Sequence, residues 1–95
     1  MKLGVPMETA PGETRVAVVP DTARRLGESG VEVLVERGAG EAASFHDRAY
    51  GEAGAQVVAD AYEAELVCKV QKPSSDELDR LRKGTTLIAL LQPLV

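Results

Sequence analysis

Valines at positions 31, 33 and 35 alternate with other residues in VEVLVE, the period of a strand with one face buried. Similar short apolar runs recur along the chain. Lys2 to Val5 opens it as a strand, and RVAVV (Arg15 to Val19) is a second apolar stretch that ends at Pro20. Pro20 and Asp21 suit the first turn of a helix, one by its fixed φ and the other by its charge at the positive helix end. Ala23 and Leu26 then face inward, and Gly30 is placed to stop the helix. Gly38-Ala39-Gly40 reads as a turn, followed by a helical stretch through Tyr50 and Ala53 that Gly54 closes. AQVV is a short strand, and Tyr62 lies in a brief helical turn. ELVCKV is apolar enough to be buried on both faces, as central strands of parallel sheets are. Ser75 to Leu81 reads as a helix with Leu78 and Leu81 as its apolar pair, and TTLIALLQPLV is the last strand.

Strands alternating with helical segments predict an α/β domain, a doubly wound and mostly parallel sheet of flavodoxin-like or Rossmann-like type. Burial is expected for Leu66, Val67, Cys68 and Val70, and for Leu87, Ile88 and Leu90 on an adjacent or nearly adjacent strand. The chain stops at Val95 straight after an apolar strand, with no helix to cover it, so a piece of a longer protein is expected.

Composition narrows the chemistry. The 95 residues carry 11 Lys and Arg against 15 Asp and Glu, net −4, with signs mixed throughout. No basic stripe is present to neutralise phosphates, and the three aromatics (Phe45, Tyr50 and Tyr62) form no base-stacking platform, so nucleic acid is not an expected partner. One cysteine, Cys68, cannot form an internal disulfide, and its apolar surroundings suit a small hydrophobe. With His46 as the only histidine, a metal site is not expected. No apolar run is long enough for a signal peptide or a membrane span, which points to a soluble, intracellular domain.

Four places are weighed for a functional reading. Gly38-Ala39-Gly40-Glu41-Ala42-Ala43 matches the G-x-G-x-x-A of dinucleotide sites, with Asp60 where a ribose-binding acid would stand. Glu36 and Arg37 separate that turn from the apolar strand, and Glu41 would set a carboxylate beside a pyrophosphate. A structural turn is therefore expected, with Ser44 or Asp47 starting the later helix. His46 has no nucleophile or metal cluster around it and reads as a surface or capping residue. Arg15, placed after the polar loop Glu8 to Thr14, could clamp a carboxylate bidentately or pair structurally with Glu8 or Glu13. In LVCKVQKP a buried strand ends on Lys69, Gln71 and Lys72, and polar groups at a strand's carboxyl end are where ligands meet a parallel sheet.

The segments KLGVPMET, GETRVAVVPDTARRL, GVEVLVERGAG, EAGAQVV, ELVCKVQKP and KGTTLIALLQP, in that order, cover nearly all of the chain. Together they resemble the N-terminal domain shared by alanine dehydrogenase and the alpha subunit of proton-translocating NAD(P) transhydrogenase. The resemblance implies that residues 1–95 are an N-terminal domain, with the dinucleotide-binding domain beyond Val95. It implies NAD in the full-length protein and NADP on a partner subunit. Arg15 matches the family's carboxylate-binding arginine. In the alanine dehydrogenases a lysine stands where this chain has Gln71, and a histidine, the general acid, where it has Gln92. Two glutamine amides cannot supply the proton that reduction of an imine needs. Transhydrogenase alpha subunits resemble this chain at both places, and hydride exchange between NADH and NADP requires no such proton.

The expectation is the N-terminal segment of a transhydrogenase alpha subunit, inactive alone, with Arg15 and Gln71 as candidate cleft residues and no catalytic, cofactor-binding or metal residue of its own. Its implied partners are membrane-embedded and NADP-binding subunits and a second alpha subunit in a homodimer. The implied location is cytoplasmic, held peripherally at the inner or plasma membrane. The alternatives are an alanine dehydrogenase-like or lysine-pathway oxidoreductase, and a free-standing α/β ligand-binding or interaction domain.

Overall fold

The computed structural model describes residues 1–81 and 84–89. Leu90 and Gln92 lie outside the described residues. Strand β1 is Lys2–Val5, β2 is Glu32–Glu36, β3 is Gln56–Val58, β4 is Leu66–Lys69 and β5 is Thr86–Ala89. They form one sheet in the order β3-β2-β1-β4-β5, and every pairing is parallel. Of the two doubly wound arrangements, this order is that of the Rossmann fold.

Helix α1 is Pro20–Glu28, with Pro20 in its first turn and Asp21 near its positive end. It ends at Ser29 and the left-handed Gly30, as the Pro-to-Gly punctuation predicts. RVAVV forms no strand. It is the tail of the β1–α1 loop, and Val16 and Val18 reach into the core from there. Helix α2 is Asp47–Glu52, with His46 at its N-cap and no side-chain cap. Ser44 takes the left-handed conformation that ends a 3-10 turn at Glu41–Ala43, so the true helix start is Asp47.

The helices cover the sheet unevenly. On one face Leu3, Val5, Val33, Val35 and Tyr50 form a core with Ala23 of α1. The opposite face is packed by a 3-10 turn at Ala61–Glu63, which approaches β1 so closely that a Cβ on Gly4 would run into the Ala61 carbonyl. On the α1 face, burial fades toward β4 and β5. There Leu66 and Cys68 are only half-buried and Ile88 is 42% exposed, whereas on the opposite face Val67 is buried and Leu87 half-buried. Cys68 and Ile88 are partners in register, so they look out over the same face, and α1 and α2 pack over the β2–β3 half of the sheet instead. The expected burial of Ile88 is corrected on that account.

Helix α3, Ser75–Arg80, also departs from its apolar pattern. Leu78 is 51% exposed, and the buried residue of the helix is Glu77. Its N-cap is Ser74, one residue before the expected start. Ser74 Oγ accepts from the Glu77 N–H while a Glu77 oxygen accepts from the Ser74 N–H, a complete capping box.

Candidate functional site

The strand order places a crevice by topology. The chain leaves β1 to build β2 and β3 on one side and later returns to build β4 and β5 on the other. Connections from β1 and β4 therefore diverge at their carboxyl ends, where open α/β sheets take their ligands. Two segments meet there. One is the β1–α1 loop, carrying Glu8, Glu13 and Arg15, and the other is the end of β4 with Lys69, Val70 and Gln71.

Two carboxylates fasten these segments together. Glu8 accepts from Lys69 Nζ at 3.0 Å, the Val70 N–H at 2.8 Å and the Gln71 N–H at 3.1 Å. Lys69 is 1% exposed and Glu8 3%, so this ion pair is dry. A lone ammonium there would be untenable, and a second carboxylate shares it: Glu77 of α3 lies 3.3 Å from Lys69 Nζ. Glu77 also accepts from the hydroxyls of Tyr62 and Thr9, both at 3.1 Å. Burial works against the Glu77 charge, but the Ser74 N–H, Lys69 and the Tyr62 hydroxyl outweigh it and hold the carboxyl below its ordinary range. Burial, the Glu77 charge and that hydrogen bond push the Tyr62 hydroxyl well up.

Glu13 is the second fastener. Arg15 donates to it three times, from its backbone N–H at 2.8 Å, from Nε at 2.8 Å and from Nη2 at 2.7 Å. Gln71 Nε2 donates to the same carboxylate at 2.7 Å. These bonds, led by the Arg15 side chain, hold the Glu13 carboxyl far below the usual range, and Glu13 in turn raises the Arg15 guanidinium. The Glu13 side chain is 5% exposed and that of Arg15 is 41% exposed. Arg15, Glu8 and Glu13 border a cavity of about 300 Å³, whose other walls are Met7 and the turn from Gly38 to Ala42.

Arg15 and Gln71, singled out separately in the sequence, are thus joined through one acid. Of the two structural partners weighed for Arg15, the structure selects Glu13. The sequence marked Lys69 only as one polar residue at a strand end, and Glu77 not at all. Lys69 stands two residues after Val67, and strand alternation puts both on the same buried face, so the signal was present in VCK. Glu77 was legible as the third residue after Ser74, the spacing of a capping box.

The glycine turn is built as a turn. Gly38 has φ +81°, and its N–H, one a phosphate would need, is held by Asp47 Oδ1 at 2.9 Å. Gly40 has an ordinary φ of −95° and is glycine for space: a Cβ would sit 2.7 Å from both the Phe45 carbonyl oxygen and the Tyr50 ring. The positive φ of this turn is at Gly38, not at Gly40. Asp60 is likewise engaged, accepting from the Tyr62 N–H and pairing with Arg80 at 3.1 Å. His46 is exposed, with Glu41 3.0 Å from its Nδ1. Among the described residues no group of three or more acidic, histidine or cysteine side chains is arranged to hold a metal. No helix among them is long and apolar enough to cross a membrane.

Comparison with known proteins agrees with this architecture. Residues 4–95 match the family model described as alanine dehydrogenase/PNT, N-terminal domain. The chain is 44% identical over 97 residues to the NAD(P) transhydrogenase subunit alpha of Cereibacter sphaeroides, covering 98% of the chain and 18% of that protein. It is 41% identical over 95 residues to the alanine dehydrogenase of Mycolicibacterium smegmatis, covering 96% of the chain and 26% of that protein. The crystal structure of transhydrogenase from Sinorhizobium meliloti superposes with a TM-score of 0.90 at 35% identity, over 96% of this chain and 28% of that one. The chain thus spans between about a fifth and a quarter of the length of these curated relatives. Matched from residue 4 to residue 95, the chain belongs to the alanine dehydrogenase/PNT N-terminal domain family.

Proposed function

We propose that this chain is the N-terminal segment of an NAD(P) transhydrogenase alpha subunit, serving an enzyme that passes hydride between NAD(H) and NADP(H) coupled to proton translocation across a membrane. The observation that carries this reading is Gln71. It lies two residues past β4 at the crevice with its amide given to Glu13, where a dehydrogenase acting on an organic acid would want a proton-transferring group. Arg15 is neutralised by the same Glu13. Lys69 is buried between Glu8 and Glu77, where it serves as a structural cation.

In this reading NAD is held mainly by a dinucleotide-binding domain outside residues 1–95, and NADP by a partner subunit. The segment lends scaffold and one wall of the interdomain cleft. Its enzyme works on the cytoplasmic side as an alpha-subunit homodimer, attached to membrane-embedded subunits. A second reading, an alanine dehydrogenase, draws on the 41% identity to such an enzyme. One experiment separates them. The full-length protein with its partner subunits should reduce an NADP analogue with NADH, and should give no NAD reduction with L-alanine across about pH 7–10, where lysine and histidine groups titrate. Robust alanine-dependent turnover would reverse the assignment. Residues 1–95 alone should not take up NADH in calorimetry, because the glycine turn spends its Gly38 N–H on Asp47.

A further inference from the structure

We infer that Glu8 is the resident anion of a built anion-binding site at the end of β4, and that it is a positioning residue for Gln71 in the crevice. The inference goes beyond the transhydrogenase reading and does not depend on it. Strand β4 ends at Lys69, and Val70 and Gln71 lie past it in a bend that belongs to no strand. Leu3 is in register with Leu66 and Gly4 with Val67, so β1 stops at Val5 before it reaches the level of Val70. Pro6 follows, buried and without an N–H to carry the ladder on. On the β1 side, the N–H groups of Val70 and Gln71 therefore meet a side chain instead of a strand. Glu8 Oε2 accepts from the Val70 N–H at 2.8 Å, and Oε1 from the Gln71 N–H at 3.1 Å and from Lys69 Nζ at 3.0 Å. Two successive N–H groups beside a cation are the chemistry of an anion nest. Here the anion comes from the chain itself, with the Glu8 side chain 3% exposed and that of Lys69 1%.

What the site holds in place is Gln71. Its N–H is on Glu8 and its Nε2 is on Glu13 at 2.7 Å. Glu13 fixes the amide at the far end of a rotatable side chain, whereas Glu8 fixes the backbone from which that side chain starts. Without Glu8, Lys69 keeps Glu77 at 3.3 Å, but the Val70 and Gln71 N–H groups lose the carboxylate they share. Glu8 also borders the cavity of about 300 Å³, so a small anion has a route to the place its carboxylate would vacate. Beyond Cβ a glutamate side chain has the heavy atoms of acetate, which makes acetate the probe.

The test is hydrogen exchange at the Val70 and Gln71 amides of the full-length protein, with acetate as the added anion. In the wild type both amides should be protected although they lie outside a strand, and free exchange there overturns the inference whichever variants fold. In Glu8→Ala they should exchange about tenfold faster or more, while residues 33–35 of β2 keep the wild-type rate. A rise shared equally by β2 is general destabilisation and overturns the inference. Acetate should then slow the two amides about threefold or more, with saturation, and acetamide or chloride at equal ionic strength should not. Acceleration that acetate leaves untouched, or that acetamide reverses as well, overturns the anion site. The wild type at the same acetate concentrations corrects for anions bound elsewhere, the exposed edge of Arg15 included. If Glu8→Ala does not fold, Glu8→Gln decides. It keeps the shape but turns a donor toward Lys69 and the two N–H groups, so the amides should again be fast, and wild-type rates sink the inference. Kinetics of hydride exchange separate positioning from mere support. In Glu8→Ala kcat should fall about tenfold or more, with the KM for NADH within about twofold, and acetate should restore it, because a crevice group is displaced while the main hold on the nucleotide is not. A wild-type kcat alongside loosened amides overturns the positioning role. A wild type without hydride exchange counts against the transhydrogenase reading alone, and the amides then decide by themselves.

Discussion

Two places on this chain advertise themselves in opposite ways. The glycine turn at Gly38–Gly40 looks like a phosphate cradle in sequence, yet its Gly38 N–H is held by Asp47 and the space beside Gly40 is filled by Phe45 and Tyr50. The end of β4 looks like a plain strand running out into polar residues, yet it anchors a buried triad of Glu8, Lys69 and Glu77 beside the half-exposed Glu13–Arg15 pair. A glycine pattern specifies backbone shape, and many shapes need it. A charge buried at a strand end demands partners, and those partners define a place. The contrast teaches that the residue hardest to bury is a better guide to a site than the residue easiest to bend.

Breaking the network should cost most. Lys69→Met leaves Glu8 and Glu77 buried without their shared cation, and about 3–5 kcal/mol of stability should be lost in urea unfolding. A loss below about 1 kcal/mol would mean the network is wetter than its burial implies. Gly40→Val strikes the other region and should cost about 3 kcal/mol or more, because the new side chain meets the Phe45 carbonyl and the Tyr50 ring. Gly40→Ala should already destabilise, because its Cβ alone meets the Phe45 carbonyl and the Tyr50 ring.

Tyr50→Phe sharpens the same side of the comparison. Tyr50 donates to the buried Val18 carbonyl at 2.7 Å, and burial pushes its hydroxyl up to about 12. Losing the hydroxyl should cost about 1–3 kcal/mol through that orphaned acceptor. Ser74→Ala removes half of the capping box and should cost about 1 kcal/mol, read as a shift in unfolding temperature.

Acid should separate the two regions without a mutation. Glu77 and Glu13 have folded-state values below their ordinary ones, so their contribution is present above about pH 4.5 and is lost as the pH falls through the folded values. Unfolding followed from pH 7 down to pH 2 should therefore show the crevice loosening first, reported by faster exchange of the Val70 and Gln71 amides. Uniform loss across the glycine turn and the crevice would erase the distinction.

Much of the fold was legible because its signals are local. Pro20 and Gly30 bracket α1, Gly54 closes α2, and the valines of β2 announce their own period. Burial in the β4–β5 half was not, because which face a helix covers is decided by the order of strands across the sheet. Apolar Ile88 and Leu78 therefore face outward, while charged Lys69 and Glu77 are inside. Arg15 and Gln71 were readable one at a time. Their meeting on Glu13 joins positions 58 residues apart, and no local pattern encodes it. Gln92 falls outside the described residues.

The span of those contacts has a consequence for the order in which the molecule comes into being. Glu8 accepts the Val70 N–H across 62 residues of chain. At a synthesis rate of about 5–20 residues per second, Glu8 is made roughly 3–12 s before that partner exists. During that interval β1 has β2 to pair with, but the acidic loop behind it has nothing to fasten to. The crevice therefore closes only after β4 has been made, although its first carboxylate is among the earliest residues of this chain.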